Sequence, residues 1–239
     1  MMKRLLFALA VMLGLASCKI DRDPSFVVQE MMNIQNGLLV NDEGVRFSIA
    51  GQAMASDILA QDRVFITGTA TRSEIAGYDY LLEPVEWFDV TVQDCIVLST
   101  VESPDDSLGV SPVNLSHVWF QGGYVNALVT VSFDTNEDFH GKVNLVYDDT
   151  RSNGSNYLCF LLKNKQTGKT WEDEDLSEQE VVFGSQFFSF PYPQGYDSSF
   201  KGEQTIFIEW RWYDASPYGD ELPLRTVSSK EGSFVINVL

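Results

Sequence analysis

The hydrophobic residues of this chain recur at alternate positions in short runs separated by turn residues, which is the pattern of all-β proteins. In the first part of the chain, strands are predicted at Gly37–Val40 and Val45–Ala50, around a hairpin turn at Asn41–Gly44. Two further strand segments follow at Arg63–Ala70 and Val85–Leu98. Roughly five strands in so short a stretch predict a small barrel that is closed or nearly closed.

Longer strands follow residues 103–112, a segment rich in Pro, Gly, Ser and Asp that lacks periodicity and is therefore predicted as a linker. This boundary gives a barrel domain over residues 34–102 and a second domain over residues 113–239. The strands of the second domain favour a two-sheet β-sandwich. They are predicted at Val118–Gln121, Tyr124–Phe133, Lys142–Tyr147, Tyr157–Lys163, Val181–Phe190, Gln204–Tyr213 and Phe234–Leu239.

The N-terminus has the organisation of a bacterial lipoprotein signal peptide. Lys3 and Arg4 precede the apolar run Leu5–Leu13, which is shorter than the about 20 residues that span a bilayer. The sequence Leu15–Cys18 then resembles a lipobox. We therefore expect a signal peptide over residues 1–17, lipidation of Cys18, and a tether over residues 18–33 that holds the protein to the outer membrane.

The charge of the chain limits its partners. The chain carries 34 acidic residues against 16 basic ones, a formal net charge of −18. Nucleic acid binding is excluded on this ground, because affinity for phosphate comes mainly from clustered Lys and Arg. An acidic surface is also repelled by anionic lipid, so the predicted membrane attachment depends on the acyl chains at Cys18 alone.

No motif of catalysis or metal binding is found in the sequence. The two histidines, His117 and His140, have no metal-ligand partner at helical spacing, and no nucleophile elbow or phosphate loop is present. A calcium-loop match at Asp134–Asp138 fails at the glycine and the closing glutamate. The acidic run Glu172–Asp175 is interpreted as a solvated loop. The sequence thus predicts no catalytic residue, no metal and no cofactor.

Aromatic residues crowd the C-terminal third, and most of them alternate as core residues do. Tyr192, Tyr196 and Tyr218 differ, because they fall in loops rich in Pro and Gly. They are the candidate ligand-binding aromatics. Cys95 and Cys159 lie in apolar strand-like runs and are interpreted as separate buried thiols, with a disulfide between them as the alternative.

Four segments together resemble the NigD-like lipoproteins of anaerobic Gram-negative bacteria. They are Asn36–Val40, Trp119–Asn126, Leu158–Asn164 and Ile206–Tyr213. The resemblance covers nearly all of the mature chain, but its markers are hydrophobic and turn patterns. It implies an oligonucleotide/oligosaccharide-binding (OB) type barrel followed by an immunoglobulin-like sandwich. It also implies an immunity or regulatory role associated with a bacteriocin, and supplies no catalytic residues.

Two further expectations come from the export and glycosylation signals of such bacteria. Acids shortly after the lipidated cysteine, here Asp21 and Asp23, favour export to the cell surface, although Arg22 interrupts them. Asp106–Leu108 resembles their short O-glycosylation signal, which makes Ser107 a candidate modification site.

The leading hypothesis is a non-enzymatic, lipid-anchored envelope protein that serves as a binding or interaction module. Its partner would be a polysaccharide, a bacteriocin-like toxin or another envelope protein. Two alternatives remain open on sequence alone. One is a carbohydrate hydrolase built on a carboxylate pair. The other is a subunit of a fimbria-like surface assembly.

Overall fold

The structure, a computed structural model, describes residues 25–135, 141–152, 157–170, 181–193, 202–213 and 227–238. The chain divides into two compact units. The first unit comprises residues up to 60 together with 66–87, and the second comprises residues 61–65 together with 88 onward. The strands β4 and β5, defined below, therefore contribute residues to both units.

The first unit is a closed barrel. Its elements are β1 (Phe26–Gln35), β2 (Leu38–Asn41), β3 (Arg46–Ile49), α1 (Gln52–Leu59), β4 (Arg63–Arg72) and β5 (Tyr80–Val92). The strands pair in the order β3-β2-β1-β4-β5, and a parallel pairing of β3 with β5 closes the barrel. Alternation along β4 points Ile66 and Ala70 into the barrel, where both are fully buried.

The hairpin predicted at Asn41–Gly44 is confirmed, because β2 and β3 are antiparallel neighbours on either side of it. The buried side chain of Asn41 organises the turn. Its Oδ1 accepts hydrogen bonds from the backbone N–H groups of Glu43 at 3.1 Å and Val45 at 2.9 Å. This is the local bonding that makes Asn a turn residue.

Strand β1 begins inside the segment 18–33 that the sequence predicts as a tether, which corrects that boundary. Residues Val28, Met31 and Met32 are each 2% exposed or less, so they belong to the barrel core. Their spacing along the strand is not a strict alternation. This irregularity hides the strand from a search for period-2 hydrophobicity.

The second unit has two sheets. Its further elements are β6 (Ile96–Val97), α2 (Pro104–Leu108), β7 (Asn114–Gln121), β8 (Tyr124–Asp134), β9 (Gly141–Tyr147), β10 (Tyr157–Gln166), β11 (Val181–Pro191), β12 (Gly202–Tyr213) and β13 (Val227–Val238). One sheet has the order β5-β11-β8-β7, with β5 contributing its second half, and the other has the order β13-β12-β10-β9-β6. Buried residues of both sheets, such as Val129 and Phe160, form one core.

These observations confirm the predicted fold class. The protein is all-β, with an OB-like barrel and a β-sandwich. In the described part of the chain, no helix is long and apolar enough to cross a membrane.

Residues 103–112 are not a linker between the two units, which corrects the second predicted boundary. They contain α2 and pack against β10 within the second unit. Leu108 is 4% exposed, Lys163 forms an ion pair with Asp105 at 3.2 Å, and the Ser111 N–H donates to the Asn164 carbonyl at 3.0 Å. The sequence misses this docking because a five-residue helix is too short to show periodicity.

We expect a Gly109→Ala substitution to lower the free energy of unfolding by about 3 kcal/mol, since strain and overlap add. Gly109 has φ +83°, and a Cβ there would overlap the Asn164 carbonyl oxygen and Lys165. Gly123→Ala is the matched control, because Gly123 has φ +82° but open space around its Cβ position. Urea unfolding of both variants measures the difference. Equal losses in the two variants would contradict the close packing of this segment on β10.

Both cysteines of the described chain are free thiols. Cys159 is 2% exposed, and burial raises the pKa of the Cys95 thiol to about 12. The interpretation of two separate thiols is therefore the one that the structure supports, and the raised pKa means that the Cys95 thiol is not activated as a nucleophile.

Candidate functional site

Pairs of consecutive aromatic residues in the second unit place one ring on each face of a sheet. On β7 the pair is Trp119–Phe120, and on β11 it is Phe187–Phe188. Phe120 and Phe188 pack into the core. Because side chains alternate along a strand, Trp119 and Phe187 lie on the outer face of the same sheet.

Four rings of the second unit meet on this outer face, and we call them the aromatic patch: Phe65, Phe88, Trp119 and Phe187. The Phe65 and Phe187 rings are stacked with centroids 4.4 Å apart. Phe88 lies 5.5 Å and Trp119 lies 6.4 Å from the Phe187 centroid. Phe88 is 40% exposed, and the other three rings are half-buried. The patch therefore exposes ring surface to solvent while the rings are held in place by packing on one another.

Arg63 lies beside the patch, two residues before Phe65 on the same face of β4, and is only 1% exposed. Its Nε donates to the Ser189 Oγ at 2.9 Å, and its Nη2 donates to the Asn126 Oδ1 at 3.2 Å. Its guanidinium carbon lies 4.2 Å from the centroid of the Tyr124 ring, a cation–π contact. These contacts tie the start of β4 to β8 and β11.

Asn126 carries an open hydrogen-bonding group in this network. Its Oδ1 accepts from Arg63 and from the Ser189 hydroxyl, the latter at 2.6 Å. Its Nδ2 is fully buried and has no partner among the described residues. Asn126 is the cross-strand neighbour of Trp119. A buried donor of this kind requires a water or a ligand oxygen.

The outer face carries Glu86 two residues before Phe88 on β5 and Asp134 four residues after Thr130 on β8, and the stretch between them carries no Asp, Glu or Lys. Its members are Phe88, Val90 and Val92 on β5; Ser185, Phe187 and Ser189 on β11; Asn126, Leu128 and Thr130 on β8; and Ser116, His117 and Trp119 on β7. Three exposed hydroxyls form a chain across it, with Ser116 to Thr130 at 3.0 Å and Thr130 to Ser185 at 2.8 Å. We call these three residues the hydroxyl ladder.

This arrangement is suited to binding. Aromatic ring faces and hydroxyls offer stacking and neutral hydrogen bonds. Glu86 is a carboxylate on this face beside the rings, two residues before Phe88 on β5. Among the described residues, no group of three or more His, Cys, Asp or Glu side chains could hold a metal ion.

A separate cavity of about 620 Å³ lies in the first unit, at the turn between β4 and β5. It is lined by Ser25, Thr71, Arg72, Ser73, Glu74, Ile75 and Leu81. These side chains offer neither a nucleophile paired with a base nor a ligand set for a metal, so the cavity does not indicate a reaction.

Of the three candidate aromatics predicted from sequence, the structure describes Tyr192. Tyr192 is half-buried, with its ring 6.5 Å from that of Phe120, and it packs against the core of the second unit. Its N–H donates to the Gly123 carbonyl at 2.9 Å, and its role in ligand binding stays a prediction. Tyr196 and Tyr218 lie outside the described residues.

The structure describes one of the two predicted modification sites, Ser107, and not the other, Cys18. Ser107 is exposed in α2, and its hydroxyl donates to the Glu102 carbonyl at 2.8 Å. Cys18 lies outside the described residues, as do His140 and the acidic run Glu172–Asp175.

The aromatic patch was not predicted from the sequence, although the sequence contains a signal for it. Two adjacent aromatic residues in a strand cannot both face one core, so Trp119–Phe120 and Phe187–Phe188 each require one ring elsewhere. The convergence of Phe65 and Phe88 on those rings could not be read from the sequence. It depends on the pairing of β5 with β11, strands that are almost 100 residues apart along the chain.

Comparisons with known proteins identify relatives by fold. No family model matches the sequence, and no curated protein matches it. A protein of unknown function (DUF1344) from Bacteroides vulgatus aligns with a TM-score of 0.55 and 18% identity, covering 90% of this chain and 92% of its own. A protein from Parabacteroides distasonis, described as toxin-related, aligns with a TM-score of 0.57 and 11% identity, covering 90% and 94%.

A NigD-like immunity protein from Bacteroides caccae aligns with a TM-score of 0.52 and 14% identity, covering 87% of this chain and 94% of its own. At such identities the likeness establishes the fold and leaves the activity to be argued from the site. The resemblance to NigD-like proteins is thereby confirmed at the level of the fold: this chain has the two-part β architecture of the Bacteroides caccae NigD-like protein.

Proposed function

We propose that this protein is a lipid-anchored, non-enzymatic binding protein of the bacterial envelope, held at Cys18, that engages its partner through the aromatic patch. The observation that carries the proposal is the patch itself. Four rings, one of them 40% exposed, lie on a stretch of outer sheet face whose twelve positions named above hold no Asp, Glu or Lys in a chain of net charge −18. Ring faces held at a surface offer a ligand a place to stack.

The anchor is supported by the sequence. A short apolar run behind Lys3 and Arg4 and the residues Leu15–Cys18 are those of a lipoprotein signal. The acidic composition leaves acyl chains as the means of attachment, because an anionic lipid surface repels it. Location in the outer membrane, with display at the cell surface, is part of the proposal and rests on Asp21 and Asp23.

The names of the fold relatives agree with a role in interaction. One is an immunity protein and another is described as toxin-related, and neither name denotes an enzyme. Ser107 remains the proposed glycosylation site. Its modification would require the hydroxyl to give up its bond to the Glu102 carbonyl.

Photocrosslinking in intact cells tests the proposal. A photoreactive p-benzoylphenylalanine replaces Phe88 in the anchored protein, and the same analogue replaces Phe26 in a control protein. The two residues are matched, since Phe26 is 41% exposed and Phe88 is 40% exposed. We expect an adduct from position 88 that position 26 does not form. Identical adduct patterns, or none from either position, would show that the patch is not the binding surface.

A further inference from the structure

We infer that the aromatic patch and the hydroxyl ladder together bind a neutral glycan, whose sugar rings stack on the patch while their hydroxyls bond to the ladder. This inference rests on the proposed function and names the chemistry of its partner.

The scarcity of charge on the outer face favours a neutral ligand. Charged residues make up 21% of the whole chain, and solvent-exposed sheet faces normally carry many of them. The twelve outer-face positions named above hold no Asp, Glu, Lys or Arg, and Val90, Asn126 and Ser189 among them are buried. A polyanion would find no exposed Lys or Arg at these positions, and a basic peptide would find no carboxylate at them; Glu86 stands at the next outer position of β5.

The hydroxyl ladder supplies what a sugar needs beside a stacking surface. A hydroxyl is both a donor and an acceptor, as is each hydroxyl of a sugar, so the two kinds of group match in either direction. Ser185 is two residues before Phe187 on the same face of β11, and Thr130 is two residues after Leu128 on β8. The ladder therefore lies about 7 Å from the ring row along the strands.

The size of the surface also fits a short run of sugar rings. Three strand spacings separate β5 from β7, about 14 Å, and the rows from Asn126 to Thr130 extend about 13 Å. The resulting area, on the order of 200 Å², is far below the about 800 Å² that each partner contributes to a standard protein interface.

The rings are fixed before a ligand arrives. Arg63, buried on Ser189 and Asn126, holds the start of β4, and Phe65 stacks on Phe187 at 4.4 Å. A preorganised surface loses little conformational entropy on binding. The buried Asn126 Nδ2 beneath Trp119 adds a donor that a ligand oxygen or a bridging water can satisfy.

Retention on immobilised polysaccharides tests the inference. The full chain, purified in detergent, is applied to columns of four neutral polysaccharides (starch, mannan, galactan and xylan) and of the polyanion polygalacturonate. We expect retention on at least one neutral column and none on the polyanion. Phe88→Ala and Trp119→Ala should each weaken retention at least tenfold, whereas Phe26→Ala should leave it unchanged. Thermal melts confirm that all three variants are folded.

Failure of this inference is distinguishable from failure of the proposed function. No retention on any neutral column, or equal effects of Phe88→Ala and Phe26→Ala, overturns the inference that the ligand is a neutral glycan. If the photocrosslink at position 88 persists in that case and its adduct is a protein, the patch is a binding surface for a different class of partner. Stronger retention on polygalacturonate than on the neutral columns also overturns the inference.

Discussion

Replacing Arg63 with Ala is expected to lower the free energy of unfolding by about 3–5 kcal/mol, because hydrogen bonds to a buried charged group are lost and a cavity remains. The Arg63 side chain is 1% exposed, and the change removes the partners of Ser189 and Asn126 together with the cation–π contact to Tyr124. For a chain of this length, such a loss corresponds to a fall in Tm of about 10 °C. Differential scanning calorimetry measures it.

Arg46→Ala is the matched control for this substitution. Arg46 pairs with Asp79 at 3.4 Å, but both side chains are more than 40% exposed. Exposed pairs contribute about 0–1 kcal/mol, so the Tm of this variant should change little. A second variant, Arg63→Lys, keeps the charge without the planar fork and should fall between the two. Similar Tm values for Arg63→Ala and Arg46→Ala would show that the buried network does not support the second unit.

Replacing Cys18 with Ser is expected to abolish lipid attachment and to move nearly all of the protein out of the membrane fraction. The acyl chains contribute about 0.8 kcal/mol for each buried CH₂, and a serine hydroxyl does not take the place of the thiolate nucleophile. Incorporation of labelled palmitate and cell fractionation measure the result.

Cys95→Ser and Cys159→Ser are the controls for the anchor. Both thiols lie within the second unit. The pKa of Cys95 is raised to about 12 by burial, so it is not a reactive nucleophile, and Cys159 is shielded from solvent at 2% exposure. Both variants should stay labelled and membrane-bound. Membrane retention of Cys18→Ser, or loss of label in the Cys95→Ser variant, would contradict attachment at Cys18.

The features of the fold that could be predicted from sequence are those with a local signal. The hairpin at Asn41–Gly44 is such a case, because an Asn side chain and a Gly with φ +85° form the turn by themselves. The strict alternation of Val64, Ile66 and Ala70 in β4 is another. In these places a few neighbouring residues decide the structure.

The features that were missed depend on contacts between distant residues. Residues 103–112 have the composition of a linker, yet they pack on β10 through the ion pair of Asp105 with Lys163, 58 positions away. The aromatic patch joins Phe65 to Phe187 in the same way. No window of neighbouring residues contains this information.

Hydroxyl-radical footprinting of the anchored protein tests the central claim, that the aromatic patch is the binding surface, without any substitution. Side-chain oxidation at Phe88, Trp119 and Phe26 is measured by mass spectrometry, first on intact envelopes and then on the protein purified in detergent. The account predicts that Phe88 and Trp119 are several-fold less oxidised on envelopes, while Phe26, of nearly equal exposure, is oxidised equally in both. Equal oxidation of Phe88 and Trp119 in the two samples would contradict it.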